Sequence, residues 1–153
     1  MEELPDKHID TGMRFERISM VLQQKTSSYD TDIFFFFFQY IATFSGHPYT
    51  ASYAPQAKSD LAMRVIADHI RAITFTIADG SIPSNTGSGY VIRRILRRAV
   101  RYYYSFLGIK DPFLFRLIPI LVDTMGDVFP EIKSQQEFII KVVHEEEISF
   151  LRT

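Results

Sequence analysis

Five arginines crowd one short stretch of this chain. Arg93, Arg94, Arg97, Arg98 and Arg101 follow one another at i, i+1, i+4, i+5 and i+8. At about 100° per residue, a helix gathers them within roughly 140° of its circumference. Ile92, Ile95, Leu96, Ala99, Val100 and Tyr103 fall on the other side. One face suits a core and the other suits an array of phosphates. The segment Ser81–Lys110 holds six basic residues and no acidic one. Exposed helices usually mix signs, because like charges at i,i+4 cost about a few tenths of a kcal/mol per pair. An anionic partner would remove that cost. The loop Asn85–Gly89, with two glycines, leads into the helix and could direct backbone N–H groups at a bound anion. Two other readings fit the same residues. The ridge could be a solvated basic face, or it could dock an acidic protein surface, including the chain's own acidic C-terminal helix.

A second run with chemical potential is Asp10–Ile18, DTGMRFERI. Its chemical reading puts Arg17 on a phosphate and Asp10 on an amine; its bland reading is structural. His8, His47, His69 and His144 show no metal-ligand spacing. His69 sits in an amphipathic pattern and is expected to be a structural side chain. Glu145, Glu146 and Glu147 are expected on a solvated face. No phosphate loop, nucleophile elbow or paired-carboxylate arrangement stands out.

The elements that must hold these residues are mostly helical. The pattern predicts a strand ending at His8–Asp10 and helices over Phe15–Gln24 and Asp32–Ala42. Ser45–Ser59, rich in Gly and Pro, is predicted as a connecting loop, followed by a helix over Ser59–Asp79. Gly80, Pro83 and Gly87–Gly89 interrupt the pattern, so the basic helix is placed from about Tyr90 to Phe106. Asp111–Pro112 opens a helix through about Gly126, with Pro119 as a kink or break. Phe129–Pro130 is a turn and Ser134–Arg152 a final helix. Phe34–Phe38 is five consecutive phenylalanines. That run shows no helical period, and a helix buried on all sides is its simplest reading.

The 153 residues, 46% of them hydrophobic, suffice for one core or for a piece of a larger protein. Net charge is −1, so the basic stretch leaves the rest of the chain acidic. That asymmetry points to a local anionic partner more than the overall charge does. Cysteine is absent, which removes disulfide and thiolate metal sites and fits a reducing compartment. Neither a signal peptide nor an apolar run of about 20 residues is present, so a cytoplasmic protein without a membrane partner is expected.

Three segments together resemble one family. HIDTGMRFERISMVLQQKTSSYDTDIF is similar to the third signature motif of class II aminoacyl-tRNA synthetases, in the version of the alanyl-tRNA synthetase family. RVIADHIRAITFTIADGSIPSNTGSGYVIRRILRRAVRYYY resembles the start of that family's tRNA-recognition region, and DTMGDVFPEIKSQQEFIIKVVHEEEISFLRT its continuation. The resemblance runs through nearly the whole chain and in order. It implies a mainly α fold: a bundle-like tRNA-recognition region preceded by a strand-helix remnant of a class II catalytic domain. Residues 1–44 would close the catalytic domain, 45–58 would link, and 59–153 would be part of the helical tRNA-binding domain.

The family activates alanine with ATP as an adenylate, with Mg²⁺, and passes the alanyl group to the terminal ribose of tRNA(Ala). By resemblance, Asp10 would hold the alanine ammonium, Gly12 would line the amino-acid pocket, and Arg17 would be the catalytic contact to the ATP phosphates. Asn85 would approach the wobble G·U pair of the acceptor stem. Arg93, Arg94, Arg97, Arg98 and Arg101 would grip the backbone nearby. Alanine, ATP and tRNA are the implied partners, and DNA is not. Arg14 stands where the family pattern has a second glycine. The first two class II motifs are expected before Met1. The editing domain, with its zinc ligands, is expected beyond Thr153. No metal site is expected in the chain itself, and the isolated chain is expected to be inactive. A non-catalytic helical RNA-binding module is the alternative.

Overall fold

Five phenylalanines in a row become one-sided once a helix winds them. A computed structural model describes residues 15–25 and 32–153. The first two helices are α1 (Phe15–Leu22) and α2 (Asp32–Ser45). On α2, Phe34, Phe37, Phe38 and Ile41 are buried at i, i+3, i+4 and i+7. Phe35 and Phe36 remain 57% and 52% exposed. The expected all-round burial is therefore wrong. The hydrophobic period lies in which rings find a neighbour, not in residue type. Each buried ring contributes about 2 kcal/mol, so three of the five phenylalanines stabilise the core and two do not. Phe38 stacks on Tyr49 with ring centroids 4.0 Å apart.

The segment after α2 is fixed from the next helix, α3 (Lys58–Ala78). Asp60, in the first turn of α3, is buried at 1% exposure. It accepts from the Thr50 N–H at 3.1 Å, the Thr50 hydroxyl at 2.6 Å and the Ser52 N–H at 2.7 Å. Arg64 Nη1 donates to the Ser52 carbonyl at 2.9 Å and lies 4.2 Å from the Tyr53 ring centre. Burial pushes the Asp60 carboxyl up, but these donors and the nearby Arg64 charge outweigh it and hold the group below its ordinary range. The unfolded chain, with an aspartate pKa of ~3.9, then takes up the proton first as pH falls. Asp60 therefore adds stability fully above about pH 4 and loses it as pH drops through the depressed folded value. In acid-unfolding curves, Asp60→Asn should lower stability at neutral pH and flatten that acid limb.

α3 buries Ala62, Met63, Ile66, Ala67, Ile70, Ile73 and Ile77 along one stripe and ends at Gly80, whose φ of 104° suits only glycine. Its main neighbour is α4 (Gly87–Phe106). α4 starts three residues before the expected Tyr90, because the Gly87–Gly89 stretch opens the helix instead of blocking it. Gly89 is buried, and a Cβ there would sit 2.3 Å from the Ile82 carbonyl oxygen and 2.2 Å from Ser84 Oγ. The loop is thus clasped against the helix start, with the Ser84 N–H on the Gly89 carbonyl at 3.0 Å.

Past α4, the helix expected over Asp111–Gly126 with a kink or break at Pro119 is broken into two pieces: a 3-10 turn over Leu114–Leu117 and α5 (Ile118–Met125). Pro119 lies in the first turn of α5, where its missing N–H costs nothing, so it starts a helix and does not kink one. Pro130 likewise opens a short α6 (Pro130–Ser134) where a turn was expected. The last helix, α7, spans Gln136–Leu151. Gln135 between them donates to the Ala78 carbonyl at 3.0 Å and closes the C-terminal end of α3.

The core is continuous from α2 through α7, with Tyr103, Phe113, Leu114, Leu117, Ile132, Ile139 and Val143 among its members. The fold is mainly α, and every element among the described residues is helical. The strand expected at 8–10 lies outside the described residues. None of the helices among them is long and apolar enough to cross a membrane.

Candidate nucleic-acid interface

α4 divides its arginines by angle. Arg93 and Arg97 sit half-buried on the flank that faces α7, and Arg94, Arg98 and Arg101 are exposed, Arg101 beside Phe150 of that same helix. The reason is a buried acid on α7: Glu146 Oε1 accepts from Arg93 Nε at 2.8 Å and lies 3.4 Å from Arg97 Nε. Arg93 Nη2 lies 3.4 Å from the second carboxylate oxygen. The prediction that Glu145–Glu147 form a solvated face fails for two of the three: Glu146 and Glu147 are buried, and only Glu145 is exposed. Successive residues on a helix point about 100° apart, so Glu146 reaches the arginine flank while Glu147 enters the core.

Glu147 there accepts from the Tyr103 hydroxyl at 2.8 Å and from the N–H groups of Phe113 at 2.7 Å, Leu114 at 2.9 Å and Phe115 at 3.0 Å. Burial lifts its carboxyl above the usual range against the opposing pull of these donors. Burial and the adjacent Glu147 also hold the Tyr103 phenol protonated far above its ordinary range. This cluster locks α4 against α7 and so fixes the direction of the arginine ridge.

The outward arginines ride on aromatic rings. Arg94 lies 5.8 Å from the Tyr90 centroid, Arg98 5.6 Å from Tyr102 and Arg101 5.9 Å from Phe150. Such platforms orient a guanidinium without neutralising it. Among the described residues, no carboxylate lies within ion-pair distance of these three. With Arg93 and Arg97 from the inner flank and His69 from α3 they border a groove of about 530 Å³. His69, expected to be purely structural, lines this groove while its Nδ1 lies 3.6 Å from Asp68. At 1.5 Å rise per residue, Arg94, Arg98 and Arg101 spread over about 10 Å, a stripe suited to successive phosphates of one strand.

Asn85 is exposed in the loop before α4, and its amide oxygen accepts a hydrogen bond from Arg93 Nη1. The ridge and the loop amide are thus one connected surface, joined by Arg93. Asp10 and Gly12 lie outside the described residues. Arg17 lies in α1, but its side chain is also outside them. The structure therefore brings the five basic-helix arginines together with Asn85, and says nothing of how Asp10, Gly12 and Arg17 are placed. Among the described residues no group of His, Asp and Glu is arranged to hold a metal ion.

The sequence reading missed Glu146, the residue that splits the ridge. An acid inside a polar HEEE run looks solvated, and only its 53-residue separation from Arg93 in sequence, closed by the fold, reveals the pairing.

Comparison with known proteins identifies the family. Residues 1–153 match the family described as tRNA synthetases class II (A). A Cytophaga hutchinsonii protein named alanine–tRNA ligase is 61% identical over 153 residues, covering all of this chain and 17% of that protein. A Bacteroides fragilis protein of the same name is 58% identical with the same coverage. One from Flavobacterium psychrophilum is 53% identical over 158 residues, covering all of this chain and 18% of that protein. The chain thus spans less than a fifth of these relatives, yet the match leaves no residue of it outside the family domain: the chain belongs to the class II (A) tRNA synthetases.

Proposed function

We propose that the chain is the segment of an alanine–tRNA ligase that joins the end of the catalytic domain, residues 1–44, to the tRNA-binding helices, residues 59–153, through the pinned stretch 45–58. The observation that carries the tRNA half is the stripe of Arg94, Arg98 and Arg101, unneutralised among the described residues, sharing one groove with Arg93, which in turn holds the Asn85 amide. These arginines hold acceptor-stem phosphates, and Asn85 meets the edge of the wobble pair. Arg93 and Arg97, held by Glu146, contribute less to that grip than a uniform ridge would.

In the catalytic half, Asp10 holds the alanine ammonium, Gly12 lines its pocket, and Arg17 contacts the ATP phosphates. The alanine carboxylate displaces pyrophosphate from ATP, and a ribose hydroxyl of the tRNA end then displaces AMP. Arg17 offsets charge as pyrophosphate departs. ATP enters such sites with Mg²⁺, to which the described residues offer no ligand cluster.

Replacing Arg17 by alanine in the full-length ligase should slow alanine-dependent ATP–pyrophosphate exchange by about a hundredfold. It should leave tRNA affinity near its parent value. The isolated chain should show no exchange above background. Unchanged exchange in the Arg17 variant would remove Arg17 from the ATP site and leave this chain only the part of a helical RNA-binding module.

A further inference from the structure

Arg93 is not oriented as a phosphate-gripping residue. Its Nε and Nη2 edge is spent on Glu146, and Nη1 turns the other way onto Asn85 Oδ1. One guanidinium therefore joins α7, α4 and the loop before α4. The Arg93 and Glu146 side chains are 21% and 10% exposed, whereas Asn85 is open to solvent. A guanidinium has donors only, so the Asn85 amide must face it with oxygen. Chemistry, not an arbitrary assignment, sets that polarity. The amino group of Asn85 is what remains for a ligand.

We infer that Glu146 and Arg93 are positioning residues that hold the Asn85 amide with its amino group outward, so that it selects a hydrogen-bond acceptor on the RNA. This rests on the reading of the α4 face as an RNA-binding surface. RNA offers such acceptors at pyrimidine O2, purine N3 and the ribose 2′-hydroxyl, and the uracil O2 of a wobble pair is displaced from the place that cytosine O2 takes in G·C, so an amino group fixed in direction can tell the two apart. Glu146 serves the same end by its charge. Without it, Arg93 would be free to swing to a phosphate, and Asn85 would lose the contact that fixes its rotamer.

The test uses the full-length ligase with Asn85→Ala, Arg93→Lys and Glu146→Gln, singly, and with Glu146→Gln combined with Asn85→Ala. Aminoacylation kcat/KM is measured on a tRNA carrying the wobble pair and on one carrying G·C in its place. Lysine retains the charge of Arg93 but cannot bridge both partners. Each single change is expected to reduce the wobble-to-G·C ratio by about tenfold, the scale of one charge-assisted hydrogen bond. The double variant should lose no more than Asn85→Ala alone, and ATP–pyrophosphate exchange should stay at the parent rate. A purely structural tie would move affinity for both tRNAs together and leave the ratio intact.

A parent-like ratio in Arg93→Lys and Glu146→Gln, beside a reduced one in Asn85→Ala, overturns the positioning role and leaves the surface reading standing. A parent-like ratio in Asn85→Ala also overturns the inference. Failure of the surface reading itself looks different: substitutions of Arg94, Arg98 and Arg101 would then leave tRNA affinity unchanged. If Glu146→Gln fails to fold, Arg93→Lys decides.

Discussion

Glu147→Ala should be among the most destabilising single substitutions in the described part of the chain, costing about 4 kcal/mol. The carboxylate accepts three backbone N–H groups, from Phe113, Leu114 and Phe115, and the Tyr103 hydroxyl. Phe113, Leu114 and Tyr103 are fully buried, so water does not readily replace what alanine removes. Each buried donor left without a partner costs about 1–3 kcal/mol, and partial rearrangement trims the total. The 3-10 turn over Leu114–Leu117 has no side-chain cap of its own. Its start is capped instead by an acid more than thirty residues later, where negative charge also favours the otherwise unpaired N–H ends.

Two measurements check this. Urea unfolding should show the loss in stability, and amide hydrogen exchange should show lost protection centred on Phe113–Phe115 with the neighbouring α4–α7 contact loosened. Glu147→Gln should fall in between. An amide keeps one acceptor but turns an NH₂ group toward donors that the second carboxylate oxygen had satisfied. Wild-type protection at Phe113–Phe115 in the alanine variant would show that the cluster does not anchor the turn.

How much of this was legible in the sequence depends on the range of the interaction. α3 and α4 were readable because Ile66, Ile70, Ile73, Ile77 and Ile92, Leu96, Val100 repeat at helical spacing, and that period is a local property. The ends of α3 came within a residue because Gly80 takes a φ that other residues avoid. The start of α4 was missed because Gly87 and Gly89 were read as breakers. Gly89 is there for close approach to Ile82 and Ser84, a packing fact with no local mark. The phenylalanine run was illegible for a related reason: identical residues carry no period, and the burial of Phe34, Phe37 and Phe38 is imposed by α3 and its neighbours.

The site divides in the same way. The basic ridge was legible as a count of charges on one face. Its partition was not, since Glu146 lies on another helix and resembles its exposed neighbour Glu145. One of the rival readings, in which the ridge docks the chain's own acidic helix, holds for Arg93 and Arg97 alone. A face about 140° wide has room for both roles, an inner flank tied to α7 and an outer stripe left open.

That partition sets the size of the second large effect. Changing Arg94, Arg98 and Arg101 together to alanine in the full-length ligase should weaken tRNA binding by about a thousandfold at low salt. Charge-assisted hydrogen bonds contribute about 1.5–3 kcal/mol each, and three that face open solvent can all reach phosphates. The slope of log Kd against log salt should flatten by about 0.7–0.9 per lost contact. Changing Arg93 and Arg97 together should alter that slope less per arginine, because the single charge of Glu146 offsets one of their two. None of the outward three is tied to the core by an ion pair among the described residues. Their loss should therefore leave the unfolding midpoint nearly unchanged, which separates weakened binding from a damaged fold. Equal slope changes per arginine in the two sets would mean that Glu146 releases its partners when RNA arrives, and the ridge would then act as a single five-residue grip.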